Sequence, residues 1–299
     1  MLSPFYIAAA VASCKEGLNL DFQKLNWLQL FVLGIIQGIS ELFPISSTAH
    51  LAIVPKLLGW PDPGSIFSGI VQMAGIAAVV AYFWRDLSKL VGESTRALID
   101  KNYKSFSLRL TIGIIVGTVP IIIAGLLLKK TLNACNSPLR SLLVIGIASM
   151  VMSGLLAVAE LQGTRERDFK KLTLLDGLLV GVAQAFALIP GVSRSGSTLT
   201  SALFLGMERE TAARFSFLLG IPAIILAGSK QLHELLKAHL PFSAWLSLGF
   251  ALLVATISAF SAIYMLLRYL EKHNTWAFVV YRFVMGIFLV IGSLTGKFS

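Results

Sequence analysis

The run Gln37-Gly38-Ile39-Ser40-Glu41-Leu42-Phe43-Pro44-Ile45-Ser46-Ser47-Thr48-Ala49-His50 decides the fold, because an apolar helix stops inside it. The apolar stretch 27–43 leads up to Pro44, which removes a backbone donor and clashes with the preceding turn, so the helix ends there. A second apolar stretch, 173–189, ends the same way, in Pro190-Gly191-Val192-Ser193-Arg194-Ser195-Gly196-Ser197-Thr198. Backbone freed from a helix is tolerated in lipid only where protein or water satisfies it. The two stretches are therefore expected to be re-entrant helical hairpins that line a polar cavity.

The rest of the chain supports a membrane setting. A hydrocarbon core of about 30 Å takes about 20 apolar residues as helix. Six further stretches meet that requirement: 65–84, 107–128, 142–160, 212–229, 243–267 and 276–296. Of the 299 residues, 56% are hydrophobic and 13% charged, about half the charged share of a soluble domain. Mean hydropathy is +0.80. So little polar surface excludes a soluble globule, and with it disorder, a coiled coil or a disulfide scaffold. The expected fold class is all-α, a polytopic integral membrane protein forming a single membrane domain over 1–299.

The net charge of +10 would suit a nucleic-acid partner only if the basic residues clustered on one solvated face. They are scattered between apolar runs instead, so they are read as loops flanking membrane spans and as contacts to an anionic lipid bilayer, with no nucleic acid as partner. Cys14 and Cys135 lie far apart without CxxC spacing, so neither a metal site nor a redox pair is indicated. The segment 1–13 precedes Cys14 in the manner of a lipoprotein signal but lacks a basic start, and is expected to be a short retained helix.

The two broken stretches resemble each other. Gly34-Ile35-Ile36-Gln37 parallels Gly181-Val182-Ala183-Gln184, and Leu42-Phe43-Pro44 parallels Leu188-Ile189-Pro190. Phe67-Ser68 begins twenty residues after Ser47, as Phe215-Ser216 does after Ser195. A duplication is expected, with a first repeat over 27–160 and a second over 173–296. Each repeat then holds one hairpin and three spans, an odd number, so the second enters the membrane inverted. This arrangement is known from transporters, whose sites form where the broken helices meet. Basic residues divide twelve against nine between the two sides, which places the mouth of the first hairpin outside.

Charge inside apolar helices marks the candidate chemistry. Glu41 follows Gln37 by four residues, on the same helix face. A carboxylate at membrane depth must be paired, solvated or bound to a cation. The guanidinium of Arg194 matches phosphate or carboxylate oxygens, and the competing structural role is a pair with Glu41. Glycines and exposed N–H groups at the start of a helix bind anions, so Gly191, Ser193, Ser195, Gly196 and Thr198 around Arg194 form a candidate phosphate cradle. A simple Ser N-cap is the alternative. His50 offers general acid–base chemistry and Ser47 a nucleophile. Ser46 and Thr48 either bind substrate or cap the next helix. Together these residues point to phosphoryl chemistry or anion transport.

Both motifs resemble the two signatures of the undecaprenyl-diphosphate phosphatase family, the bacitracin-resistance membrane phosphatases. The resemblance extends through Tyr82-Phe83-Trp84-Arg85, Phe215-Ser216-Phe217-Leu218-Leu219 and Tyr281-Arg282-Phe283. It implies dephosphorylation of undecaprenyl diphosphate to the monophosphate, which recycles the carrier for peptidoglycan and other envelope polymers. It also implies a divalent cation, Mg²⁺ or Ca²⁺, and an active site in the bacterial plasma (inner) membrane open to the outer face. Glu41, Ser47, His50 and Arg194 take the catalytic roles, Glu41 that of metal ligand, and Gln37 a place in substrate binding. The family often has Glu where Gln37 stands, which leaves Glu41 and the diphosphate oxygens to hold the cation. A polyprenyl-phosphate transporter or flippase is the alternative function that the repeat alone suggests. A purely structural subunit gives no reason for Glu41 and Arg194. A homo-oligomer is compatible with everything above.

Overall fold

The computed structural model describes residues 20–128 and 137–298. The expected helix over 1–13 and both cysteines lie outside the described residues. Within them the chain is helical, with no β-sheet. The α-helices are α1 (Trp27–Leu42), α2 (Ser47–Leu58), α3 (Gly64–Tyr82), α4 (Trp84–Ile99), α5 (Phe106–Leu127) and α6 (Leu142–Gln162), followed by α7 (Leu174–Ala185), α8 (Arg194–Phe204), α9 (Arg209–Lys237), α10 (Phe242–Lys272) and α11 (Trp276–Leu294). Six of them, α3, α5, α6, α9, α10 and α11, are long and apolar enough to cross a membrane. The chain is an all-α, multi-pass membrane protein.

The two broken helices start alike. Asn26 opens α1 with a capping box, its side chain accepting from Gln29 N at 2.9 Å while the Gln29 side chain accepts from Asn26 N at 2.8 Å. Thr173 and Asp176 form the same box at the start of α7. Such reciprocal bonds satisfy two otherwise orphaned helix donors. Asn26 and Thr173, Gly34 and Gly181, and Gln37 and Gln184 are each 147 positions apart. So are Ser46 and Ser193, which stand at the two breaks with φ of 73° and 66°. A non-glycine residue in that region costs about 1 kcal/mol and persists only where its surroundings hold it.

Arg282 of α11 supplies that hold. Its side chain is fully buried. Nη1 donates to Pro44 O at 3.2 Å, and Nη2 donates to Gly191 O and Val192 O at 2.7 Å each. One guanidinium therefore satisfies carbonyls that both breaks release, so the two loops are fixed against each other.

The broken helices dock through small residues. A Cβ on Gly38 of α1 would strike the Ala255 and Ala259 backbone of α10, and one on Gly181 of α7 would strike the Gly117 backbone of α5. Close approach of this kind drives association where lipid offers no hydrophobic gain. Among the long helices α6 packs along α11, and α3 packs against both α10 and α9. The sequence contained no expectation of α4. Its Trp84, Val91 and Leu98 are exposed at seven-residue spacing, while Ser94 and Ala97 are buried.

Candidate active site

Glu41 is the hub. It lies on the last turn of α1, one turn after Gln37, and both side chains are buried. Pro44 reverses the chain so that Ser47, the first residue of α2, returns to it. Oε2 of Glu41 accepts from Ser47 Oγ at 2.8 Å, from Gln37 Nε2 at 3.0 Å and from Gln72 Nε2 of α3 at 3.2 Å. Oε1 accepts from Arg194 Nη2 of α8 at 3.0 Å. The pairing of Arg194 with Glu41, weighed from sequence as the structural alternative, is thus present. It does not use up the guanidinium, because Arg194 Nη1 is buried without a hydrogen-bond partner among the described residues. A Cβ at Gly220 of α9 would collide with that guanidinium, so the absence of a side chain at Gly220 makes its space.

His50, one turn beyond Ser47, faces a different group. Nδ1 lies 2.8 Å from Ser46 O and Nε2 lies 2.6 Å from the Tyr281 hydroxyl. Glu41 touches Ser47, whereas His50, the expected acid–base group, is bonded to the break and to α11.

The remaining expected residues build the turns. Ser193 Oγ accepts from Gly196 N at 3.2 Å, which is the N-cap weighed as the alternative to a cradle. Ser195 Oγ donates to Glu41 O at 3.2 Å and Phe43 O at 3.0 Å, so the second break buttresses the first. Thr198 Oγ1 donates to Arg194 O at 2.8 Å and bonds the Ser216 hydroxyl. Gly191, at φ 96°, packs where a Cβ would strike the Ile145 backbone, and its carbonyl accepts from Arg282. Thr48 is exposed on the wall of a polar cavity of about 380 Å³, which Gln37, Ser47, Asp62, Ser68, Gln72, Arg140 and Gln231 also line.

Sequence reasoning did not assign roles to Gln72, Tyr281 or Arg282. Arg282 had a detectable signal, a charge inside the last apolar span, which marks function or structure by default. The other two become recognisable only through contacts from distant helices.

The donor set also bears on the expected cation. Among the described residues no group of three or more His, Cys, Asp or Glu forms a metal cage. Glu41 is the one carboxylate at the centre of the network and is balanced by Arg194. Mg²⁺ keeps several waters and takes one or two carboxylates together with substrate phosphates. The Glu41 carboxylate is the protein ligand this network offers, so a cation held there would take its other ligands from a phosphate and water.

Residues 30–288 match the family model described as Bacitracin resistance protein BacA. The chain is 53% identical over 274 residues to an undecaprenyl-diphosphatase of Trichormus variabilis, covering 91% of this chain and 85% of that one. It is 55% identical over 261 residues to undecaprenyl-diphosphatase 2 of Mesorhizobium japonicum, covering 87% and 99% respectively. A third, the undecaprenyl-diphosphatase of Trichodesmium erythraeum, is 45% identical over 95% of this chain and 91% of its own length. With six apolar spans, two broken helices and a buried Glu–Ser–Arg network inside the matched region, the chain belongs to the bacitracin resistance protein BacA family.

Proposed function

We propose that this protein hydrolyses undecaprenyl diphosphate to undecaprenyl phosphate in the bacterial plasma membrane, with its site open to the outer face. The observation that carries the chemistry is the pairing of a serine held on a carboxylate with an arginine whose second nitrogen has no partner. Phosphoryl transfer is catalysed mainly by positioning and by neutralising charge on the equatorial oxygens. Arg194 Nη1 is a buried donor without an acceptor among the described residues, and a terminal phosphoryl oxygen supplies one. Glu41 takes the Ser47 proton, Ser47 Oγ attacks phosphorus, and the prenyl phosphate leaves. Mg²⁺ or Ca²⁺, held by the diphosphate and Glu41, would supply further charge neutralisation.

The prenyl chain suits a second space. An apolar groove of about 600 Å³ runs between α6, α7 and α8, lined among others by Ala148, Val151, Ala183 and Phe186. Ile189 and Val192 line this groove, whereas Pro190 of the same turn lines the polar cavity. The second break thus separates a place for isoprenoid from a place for phosphate. We also assign 27–160 and 173–296 to inverted repeats with α1–α2 and α7–α8 as re-entrant hairpins, supported by the matched capping boxes and breaks.

Phosphate release by the purified protein in detergent tests the proposal. Arg194→Ala is expected to lower turnover at least 100-fold, as losing one preorganised charge donor does. Full activity in a folded Arg194→Ala protein would overturn it.

A further inference from the structure

We propose that Tyr281 is a proton relay that works with His50 in the second half of the reaction. The inference rests on the function proposed above. A carbonyl oxygen only accepts, so the 2.8 Å contact to Ser46 O requires a proton on His50 Nδ1. Neutral His50 then has its lone pair on Nε2, and that lone pair accepts the Tyr281 O–H at 2.6 Å. The tautomer follows from these partners. The rings stack at 5.7 Å with planes 3° apart, which fixes the line between the two groups.

Two consequences follow. Ser47 already has a base in Glu41, so His50 is not needed to activate the nucleophile. His50 also has no vacant lone pair of its own, so a water must reach it through the tyrosine. His50 is buried and Tyr281 is 46% exposed, so the tyrosine is the less enclosed partner of the pair.

After Ser47 carries the phosphoryl group and Glu41 its proton, a water attacks phosphorus. The water proton passes to Tyr281 Oη while the Tyr281 proton passes to His50 Nε2. The Oγ–P bond breaks, Ser47 recovers its proton from Glu41, and phosphate departs. His50 returns its extra proton to water by the same route.

Tyr281→Phe keeps the stacked ring and removes only the hydroxyl. It is expected to lower kcat about 100-fold, in the range of acid–base groups, with KM within twofold. Rapid quench with terminally labelled undecaprenyl diphosphate should show phosphoserine accumulating in the variant, because only the second step slows. The double variant with His50→Ala should be no slower than His50→Ala alone, since groups acting as one unit are not additive. A Tyr281→Phe kcat within twofold of wild type, losses that multiply in the double variant, or a slowed first step without phosphoserine would each overturn the relay. Wild-type protein that releases no phosphate would overturn the proposed function and the relay together.

Discussion

At the residue scale the site is organised by what Glu41 accepts. Its Oε2 takes three donors, two of them neutral amides from Gln37 and Gln72. An amide can hold a carboxylate at the serine without adding charge, which a second acid could not do. Gln37→Glu therefore places two carboxylates about a hydrogen bond apart, and like charges at that distance cannot both stay ionised without a cation. The expected result is a protein whose melting temperature falls by several degrees in EDTA and is restored by millimolar Mg²⁺, while wild-type melting responds less. Equal Mg²⁺ responses, read by thermal denaturation in detergent, would contradict this account of the amides. Glu41, Ser47 and Arg194 were legible in the sequence because charge and hydroxyls are conspicuous inside apolar helices. Gln72 was not, since an isolated amide in α3 acquires meaning only when folding sets it beside a residue 31 positions away.

At the element scale the same contrast holds. The stops of α1 and α7 were readable because proline acts locally, on its own preceding turn. The left-handed backbone at Ser46 and Ser193 was not readable, because it is imposed from outside, through the carbonyls that Arg282 gathers. The helix α4 escaped notice for a different reason: it is amphipathic and carries too many charges to register as a span. Packing of the broken helices depends on glycine, and here the consequence is measurable. Gly181→Val drives a side chain into the Gly117 backbone and must push α7 away from α5. Overpacking of this kind costs about 1–3 kcal/mol. Lower thermal stability is expected together with lower turnover, since α7 leads directly to the break that carries Arg194. Gly125→Val on α5, where a Cβ would meet open space, should leave both unchanged and serves as the control.

At the scale of the whole molecule, the polar site and a second set of buried charges occupy opposite ends of α6. Arg140, on the cavity wall, precedes the helix, whereas Glu160 lies on its last turn. Glu160 is buried and accepts from Arg209 of α9, from Thr275 Oγ1 at 2.8 Å and from Thr275 N at 3.3 Å, with Arg165 at 3.1 Å. It therefore ties together the ends of three spans, α6, α9 and α11. A helix rises 1.5 Å per residue, so this knot lies roughly 25 Å from the cavity end of α6. Glu160→Ala leaves two arginines and a buried threonine without their acceptor, a loss of about 3 kcal/mol for a broken buried pair. The melting temperature should fall markedly, yet kcat well below that temperature should stay within about twofold, because no atom of the Glu41 network changes partner. A kcat that collapses in a still-folded Glu160→Ala protein would mean that the two ends of the bundle are mechanically coupled and that the knot belongs to the catalytic cycle.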